Sequence, residues 1–141
     1  MNYELVFLKK EKATLEELLD ALNPNTKTED DLWEISKHFQ DVIISELKKK
    51  GLTFTVYDSS NEGEFDLLFP TFEIDICYSE VYIVVPYFKE NNTEKRAQEV
   101  MTIINVLQAL GMTGLNEQKK TLISKEYSFQ KEFEINLHTE S

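Results

Sequence analysis

With 141 residues and 26 Asp plus Glu against 15 Lys plus Arg, the chain carries a formal charge of −11, which excludes a nucleic-acid binder as the default, because grip on a phosphate backbone comes from Lys and Arg. At 41% hydrophobic and 11% aromatic residues it is too apolar for a disordered acidic tail. The single cysteine, Cys77, excludes an internal disulfide, and His38 and His138 lie too far apart in sequence for any known zinc spacing.

The first predicted element is a strand over residues 3–8. Tyr3, Leu5 and Phe7 share one face and Val6 and Leu8 the other, the pattern of a central strand covered on both sides. Thr14 with Glu17 three residues on forms a capping-box pattern, predicting a short helix with Leu15, Leu18, Leu19 and Leu22 as its buried stripe and a stop at Asn23-Pro24-Asn25. A longer helix is predicted from a Thr28 cap to Gly51 at the C′ position, with acids in its first turn and Lys48, Lys49 and Lys50 in its last. Leu32, Ile35, Phe39, Val42, Ile43 and Leu47 make its apolar face. Trp33 and Ile44 fall off that face, about three turns apart. They read either as packed by a neighbouring loop or strand, or as a second contact surface.

From residue 51 to 88 the period changes to two. Leu52, Phe54 and Val56, then Phe65, Leu67 and Phe69, then Phe72, Ile74 and Ile76 alternate with polar neighbours, and residues 81–87 are apolar on both faces up to Pro86. Four strands are predicted, joined by turns at 58–63, at Pro70 and at 78–80. A helix from Thr93 to Gly111 follows, with Ala97, Val100, Met101, Ile104, Leu107 and Leu110 as its stripe and Ile103 and Val106 widening it. Beyond a short segment around Leu115, residues 127–137 place Tyr127, Phe129, Phe133, Ile135 and Leu137 in one alternating phase, which predicts a closing amphipathic strand. The expected fold is one α+β domain over residues 1–141, an antiparallel sheet of about five to six strands with helices packed on it, in the order β-α-α-β-β-β-β-α-β with one optional further strand.

The charge is localised. Residues 51–88 hold Asp58, Glu62, Glu64, Asp66, Glu73, Asp75 and Glu80 and no Lys or Arg. Glu64, Asp66, Glu73 and Asp75 occupy the polar phase of two consecutive strands, so pairing of those strands puts four carboxylates on one face. Like charges at neighbouring strand positions repel, and surfaces indifferent to partners usually intersperse both signs. Three readings stand: solubilising acids that discourage edge pairing, a docking face for a basic protein, or oxygen ligands for a divalent cation from Asp66, Glu73 and Asp75.

Motifs for other chemistry are missing from the sequence. The four glycines, at 51, 63, 111 and 114, are isolated and form no phosphate loop. Cys77 reads as a packed strand residue rather than a nucleophile. Abundant carboxylates alone do not define a hydrolase pair. No apolar run approaches the roughly 20 residues a membrane helix needs, and residues 1–12 lack the apolar stretch of a secretion signal. The expectation is a soluble, cytoplasmic protein.

Asn2-Tyr3-Glu4-Leu5-Val6-Phe7 resembles the Tyr-Asp-Leu-x-Phe/Trp start of many small bacterial immunity proteins, which neutralise polymorphic toxins. The segment Leu110-Gly111-Met112-Thr113-Gly114-Leu115-Asn116-Glu117-Gln118 looks like the Leu-Gly-(apolar)-x-x-(apolar)-Asp-Pro-Gln turn and edge strand that follow their last long helix, with Asn116-Glu117 in place of Asp-Pro. The resemblance implies a stoichiometric inhibitor with an α+β fold, no cofactor, and an acidic surface covering a basic toxin domain. The expectation drawn from residues and resemblance together is a non-enzymatic protein-binding domain, of immunity or inhibitor type, with no catalytic residues and no metal. Asp66, Glu73 and Asp75 are its leading contact residues, with Glu62, Glu64 and Trp33 behind them; nucleic acid and membrane are not expected as partners, and oligomeric state stays open. The alternatives are a small carboxylate- or metal-dependent hydrolase and a self-associating adaptor that uses Trp33 and Ile44 or the edge of the strand at 127–137.

Overall fold

Apart from Glu4, residues 3–8 are apolar in both phases, and they form the strand with cover on both sides: Tyr3, Leu5, Val6, Phe7 and Leu8 are all fully buried. A computed structural model of the chain describes residues 2–9, 13–23, 37–59, 64–77, 80–87 and 93–140. Its elements in chain order are β1 (Asn2–Leu8), α1 (Leu15–Leu22), α2 (Lys37–Lys49), β2 (Thr55–Ser59), β3 (Glu64–Leu68), β4 (Glu73–Ile76), β5 (Glu80–Pro86), α3 (Thr93–Ala109), β6 (Thr113–Asn116), β7 (Thr121–Leu122) and α4 (Phe129–Glu140). The seven strands make one sheet in the order β2-β3-β4-β5-β1-β6-β7, every neighbouring pair antiparallel. The fold class is the expected α+β, with seven strands among the described residues where about five to six were expected.

One face of the sheet carries the main core. Tyr3, Leu5, Phe7, Leu67, Ile74, Ile76, Val81, Ile83 and Val85 meet Ile43 and Leu47 of α2, Val100, Ile103, Ile104 and Leu107 of α3, and Phe129 and Phe133 of α4. Each such side chain taken fully out of water contributes roughly 1.5–3 kcal/mol. The opposite face has a smaller cluster, where Leu18 and Ala21 of α1 cover Val6, Leu8 and Leu115. Because α1 is only eight residues long, its cluster covers β1 and β6 and takes in Tyr82 of β5, and no described helix covers the β3–β4 portion of that face.

Local signals in the sequence account for most element ends. The Thr14 hydroxyl accepts from the Glu17 backbone N–H and the Glu17 carboxylate accepts from the Thr14 N–H, both at 3.1 Å, so the capping box forms as expected. Helices α2 and α3 both end in Schellman turns. Gly51, at φ 81°, donates to Lys48 while Leu52 donates back to Leu47; Gly111, at φ 84°, donates to Gln108 while Met112 donates to Leu107. A side chain with Cβ resists this left-handed conformation. The start expected for α2 at Thr28 lies outside the described residues.

Three expectations are corrected. Residues 127–137 are not a strand: α4 begins at Phe129, after Ser128, whose Oγ accepts from the Lys131 N–H at 3.4 Å. Phe129 and Phe133 are one helical turn apart as well as in one alternating phase, and the exposed Lys131 between them breaks the alternation but suits a helix. In α1, Leu19 is exposed and Ala21 takes its place in the buried stripe. Strand β2 starts at Thr55, three residues later than expected, with Leu52 and Phe54 leading into it half-buried against the core. Of the two readings open for Ile44, packing within the domain is the one found, since it lies half-buried against that same core; Trp33 lies outside the described residues.

Polar residues lock the central strand to its neighbours. Gln118 uses its side chain as a backbone surrogate: Oε1 accepts from the Glu4 N–H at 2.5 Å and Nε2 donates to the Glu4 carbonyl at 3.0 Å and to Asn116 Oδ1 at 2.7 Å. The fully buried Tyr3 ring meets Phe129 and Phe133 edge-on, each at 5.6 Å between centroids. Its hydroxyl shares a 2.6 Å hydrogen bond with Tyr127 and accepts from Asn116 Nδ2, while burial pushes its pKa up to about 12. A buried phenol needs such partners, and these bring α4 down onto β1.

Candidate acidic docking face

The alternation of β3 and β4 puts Phe65, Leu67, Ile74 and Ile76 in the core and turns Asp66, Glu73 and Asp75 to the opposite face. Register then decides which of them meet. Asp66 pairs directly with Asp75, Tyr57 lies beyond Asp66 on β2, and Tyr82 lies beyond Asp75 on β5, giving the row Tyr57, Asp66, Asp75, Tyr82. In the adjacent row Leu68 faces Glu73, Glu73 faces Val84, and Val84 faces Glu4 of β1. These side chains enclose a shallow depression of about 400 Å³ lined by Glu4, Asp66, Glu73, Asp75, Cys77, Tyr82 and Val84.

One carboxylate oxygen from each of Asp66, Glu73 and Asp75 lies within 4.8 Å of the others. At that spacing two full charges repel by about 3 kcal/mol at an effective dielectric near 20, so three adjacent ionised carboxylates are unfavourable without a counter-charge or a proton. Asp75 bears most of this. Burial first, and then hydrogen bonding and repulsion from Glu73 and Asp66, push its pKa up to about 8. Its Oδ1 is enclosed and makes no hydrogen bond among the described residues. The Tyr82 hydroxyl is also pushed above its ordinary pKa, chiefly by burial and then by Glu80 and Glu117.

The three leading residues from the sequence are therefore brought together by register. Glu64 opens β3 opposite Ser59; its side chain lies outside what is described, as do Glu62 and Trp33 altogether. Sequence reasoning missed Glu4, Tyr82 and Val84, which enter from β5 and β1. Glu4 carried a readable signal, being the one acid in the phase of Val6 and Leu8 within an otherwise apolar strand. Cys77 lines the same depression, half-buried. His38 is exposed on α2.

A second depression, about 490 Å³ between α2 and α3, is lined by Glu46, Lys50, Thr102 and Asn105 over Val106, Ala109 and Leu110. Its single acid and single base assemble no like-charged or reactive group. A third, about 350 Å³, contains the Lys119–Glu132 ion pair between the β6–β7 turn and α4, whose charges already offset one another. Among the described residues no helix is long and apolar enough to cross a membrane. No protein-family model, curated protein or solved structure matches the chain.

Proposed function

We propose that the chain is a non-enzymatic binding domain, of immunity or inhibitor type, that docks a basic protein through the acid-bearing face of β3 and β4 and the adjoining part of β5. The observation that carries this reading is the Asp66, Glu73 and Asp75 cluster, held on adjacent strands in a segment without one Lys or Arg. Tyr57, Leu68, Tyr82 and Val84 flank it, so a cationic side chain entering the cluster gains both charge and apolar contact. The depression is shallow, which suits a protruding Lys or Arg better than an enclosed small molecule. A basic partner would also relieve the repulsion among the three carboxylates, and complementary fields would speed the encounter.

The test compares capture of basic proteins at low salt by the immobilised wild-type chain and by an Asp66→Asn, Glu73→Gln, Asp75→Asn variant, whose neutral amides preserve shape. Affinity is expected to fall about tenfold or more in the variant, and in the wild type at high salt. Undiminished capture by the variant at low salt sinks the reading. The spacing of the carboxylate oxygens also favours a second reading, a divalent cation in the same cluster. A rise in melting temperature with millimolar Ca²⁺, Mg²⁺ or Mn²⁺ that is lost in the same variant would support it, since a ligand of the native state stabilises by mass action.

A further inference from the structure

The two edges of the sheet are built differently. At one end β7 is two residues long and follows a turn through Lys119 and Lys120, the latter at φ 54°, so it offers almost no ladder to an incoming strand. At the other end β2 runs five residues in unbroken register with β3. Its sequence, Thr55-Val56-Tyr57-Asp58-Ser59, contains no Pro, Lys or Gly, and Val56 and Tyr57 are 38% and 58% exposed. Sheets ordinarily protect such an edge with Lys, Pro, a bulge or a covering element. Among the described residues no strand pairs with the outer side of β2.

Charge selects what can pair there. A second copy adding through its own β2 would set two acid-only meanders side by side, each with seven acids and no base over residues 51–88. A cationic strand meets the opposite situation. The residue it places opposite Tyr57 stands two strand spacings, roughly 10 Å, from Asp66. An extended Lys or Arg side chain crosses that gap over the Tyr57 ring, gaining cation–π contact on the way, and ends at the carboxylate. Tyr57 and Asp66 are in register for this, with Asp75 next in the same row.

We propose that β2 is the docking edge of the acidic face: an extended segment of a basic protein adds to it as an eighth strand, with Lys or Arg at alternate positions laid over Tyr57 toward Asp66 and Asp75. This rests on the acidic-face reading above and specifies how the partner is held.

The probe is a short peptide of alternating Lys and Thr, compared with two twins N-methylated on every Lys or on every Thr. Each twin keeps all the charge but cannot donate to a ladder along one edge. In calorimetric titration at low salt the parent peptide is expected to bind and at least one twin to bind about tenfold more weakly or worse. Amides of residues 55–59 should gain protection from hydrogen exchange with the parent and not with a twin that binds weakly. Equal binding by all three peptides overturns strand addition while leaving the acidic face standing, and absence of binding by the parent overturns it too. Protection of residues 55–59 that persists in the Asp66→Asn, Glu73→Gln, Asp75→Asn variant with unchanged affinity keeps the edge and removes the acidic face.

Discussion

At the scale of single residues, Asp75 has an environment that departs from what its position in the sequence suggests. It alternates like any polar strand residue, yet it is enclosed between Asp66 and Glu73, and its pKa is raised to about 8. Between its ordinary value of about 4 and that raised value, the native carboxyl holds a proton that the unfolded chain has released. Raising the pH through this window therefore favours unfolding. The stability of the wild type relative to Asp75→Asn is expected to fall steadily from about pH 4 to about pH 8 and to level off above, measured as the difference in melting temperature between the two. A difference independent of pH would mean that Asp75 is ionised throughout. The same proton sets the charge of the acidic face, which reaches its full negative value only above that window, so the proposed cationic partner, displacing the proton, is expected to bind more tightly as pH rises.

At the scale of elements, α4 shows how one apolar pattern serves two periods. Phe129 and Phe133 fit a strand phase and a helical turn equally well, and only their neighbours decide. Phe133 stacks on Tyr87 at 5.4 Å, meets Tyr3 and Phe129, and carries the Arg96 guanidinium over its ring at 4.7 Å, whereas Ile135 is 44% exposed. Phe133→Ala is expected to cost about 3–5 kcal/mol in urea denaturation and Ile135→Ala to stay within about 0.5 kcal/mol; comparable losses at both sites would restore the strand. The elements legible in the sequence are those whose ends carry their own chemistry: Thr14 with Glu17 at the start of α1, and Gly51 and Gly111 at the ends of α2 and α3. Alternation likewise assigned Asp66, Glu73 and Asp75 to one face. Which strand lies beside which was not legible, because register across distant strands depends on partners far along the chain, so Tyr82 and Glu4 could not be placed beside the acids. Arg96 and Asn116, both nearly fully buried, were hidden for the same reason: the Arg96 guanidinium lies over the Phe133 ring and Asn116 bonds Tyr3 and Gln118, groups that only the tertiary fold brings near.

At the scale of the whole molecule, the charge of −11 and the sheet order act together. Within the meander β2–β5, Asp66, Glu73 and Asp75 gather on one side of the sheet, and α2, α3 and α4 commit the other side to the core. α1 covers only the part of the acid-bearing face nearest β1 and β6, so the Asp66, Glu73 and Asp75 cluster lies beyond that cover. The order of strands adds a condition in time. β1 sits between β5 and β6, so the middle of the sheet is made from the first strand of the chain and two that follow it by more than seventy residues. At about 5–20 residues per second of synthesis, β1 waits roughly 5–20 s after leaving the ribosome before β6 follows. Ribosome-held chains that expose residues up to 87 should therefore remain sensitive to protease, and those that expose the whole chain should resist; early resistance would mean that β1 and β5 close without β6. Until then Leu5, Val6, Phe7 and Leu8 stand open to whatever meets them first, and the fold must be guarded during its birth at the strand that later becomes its best-protected part.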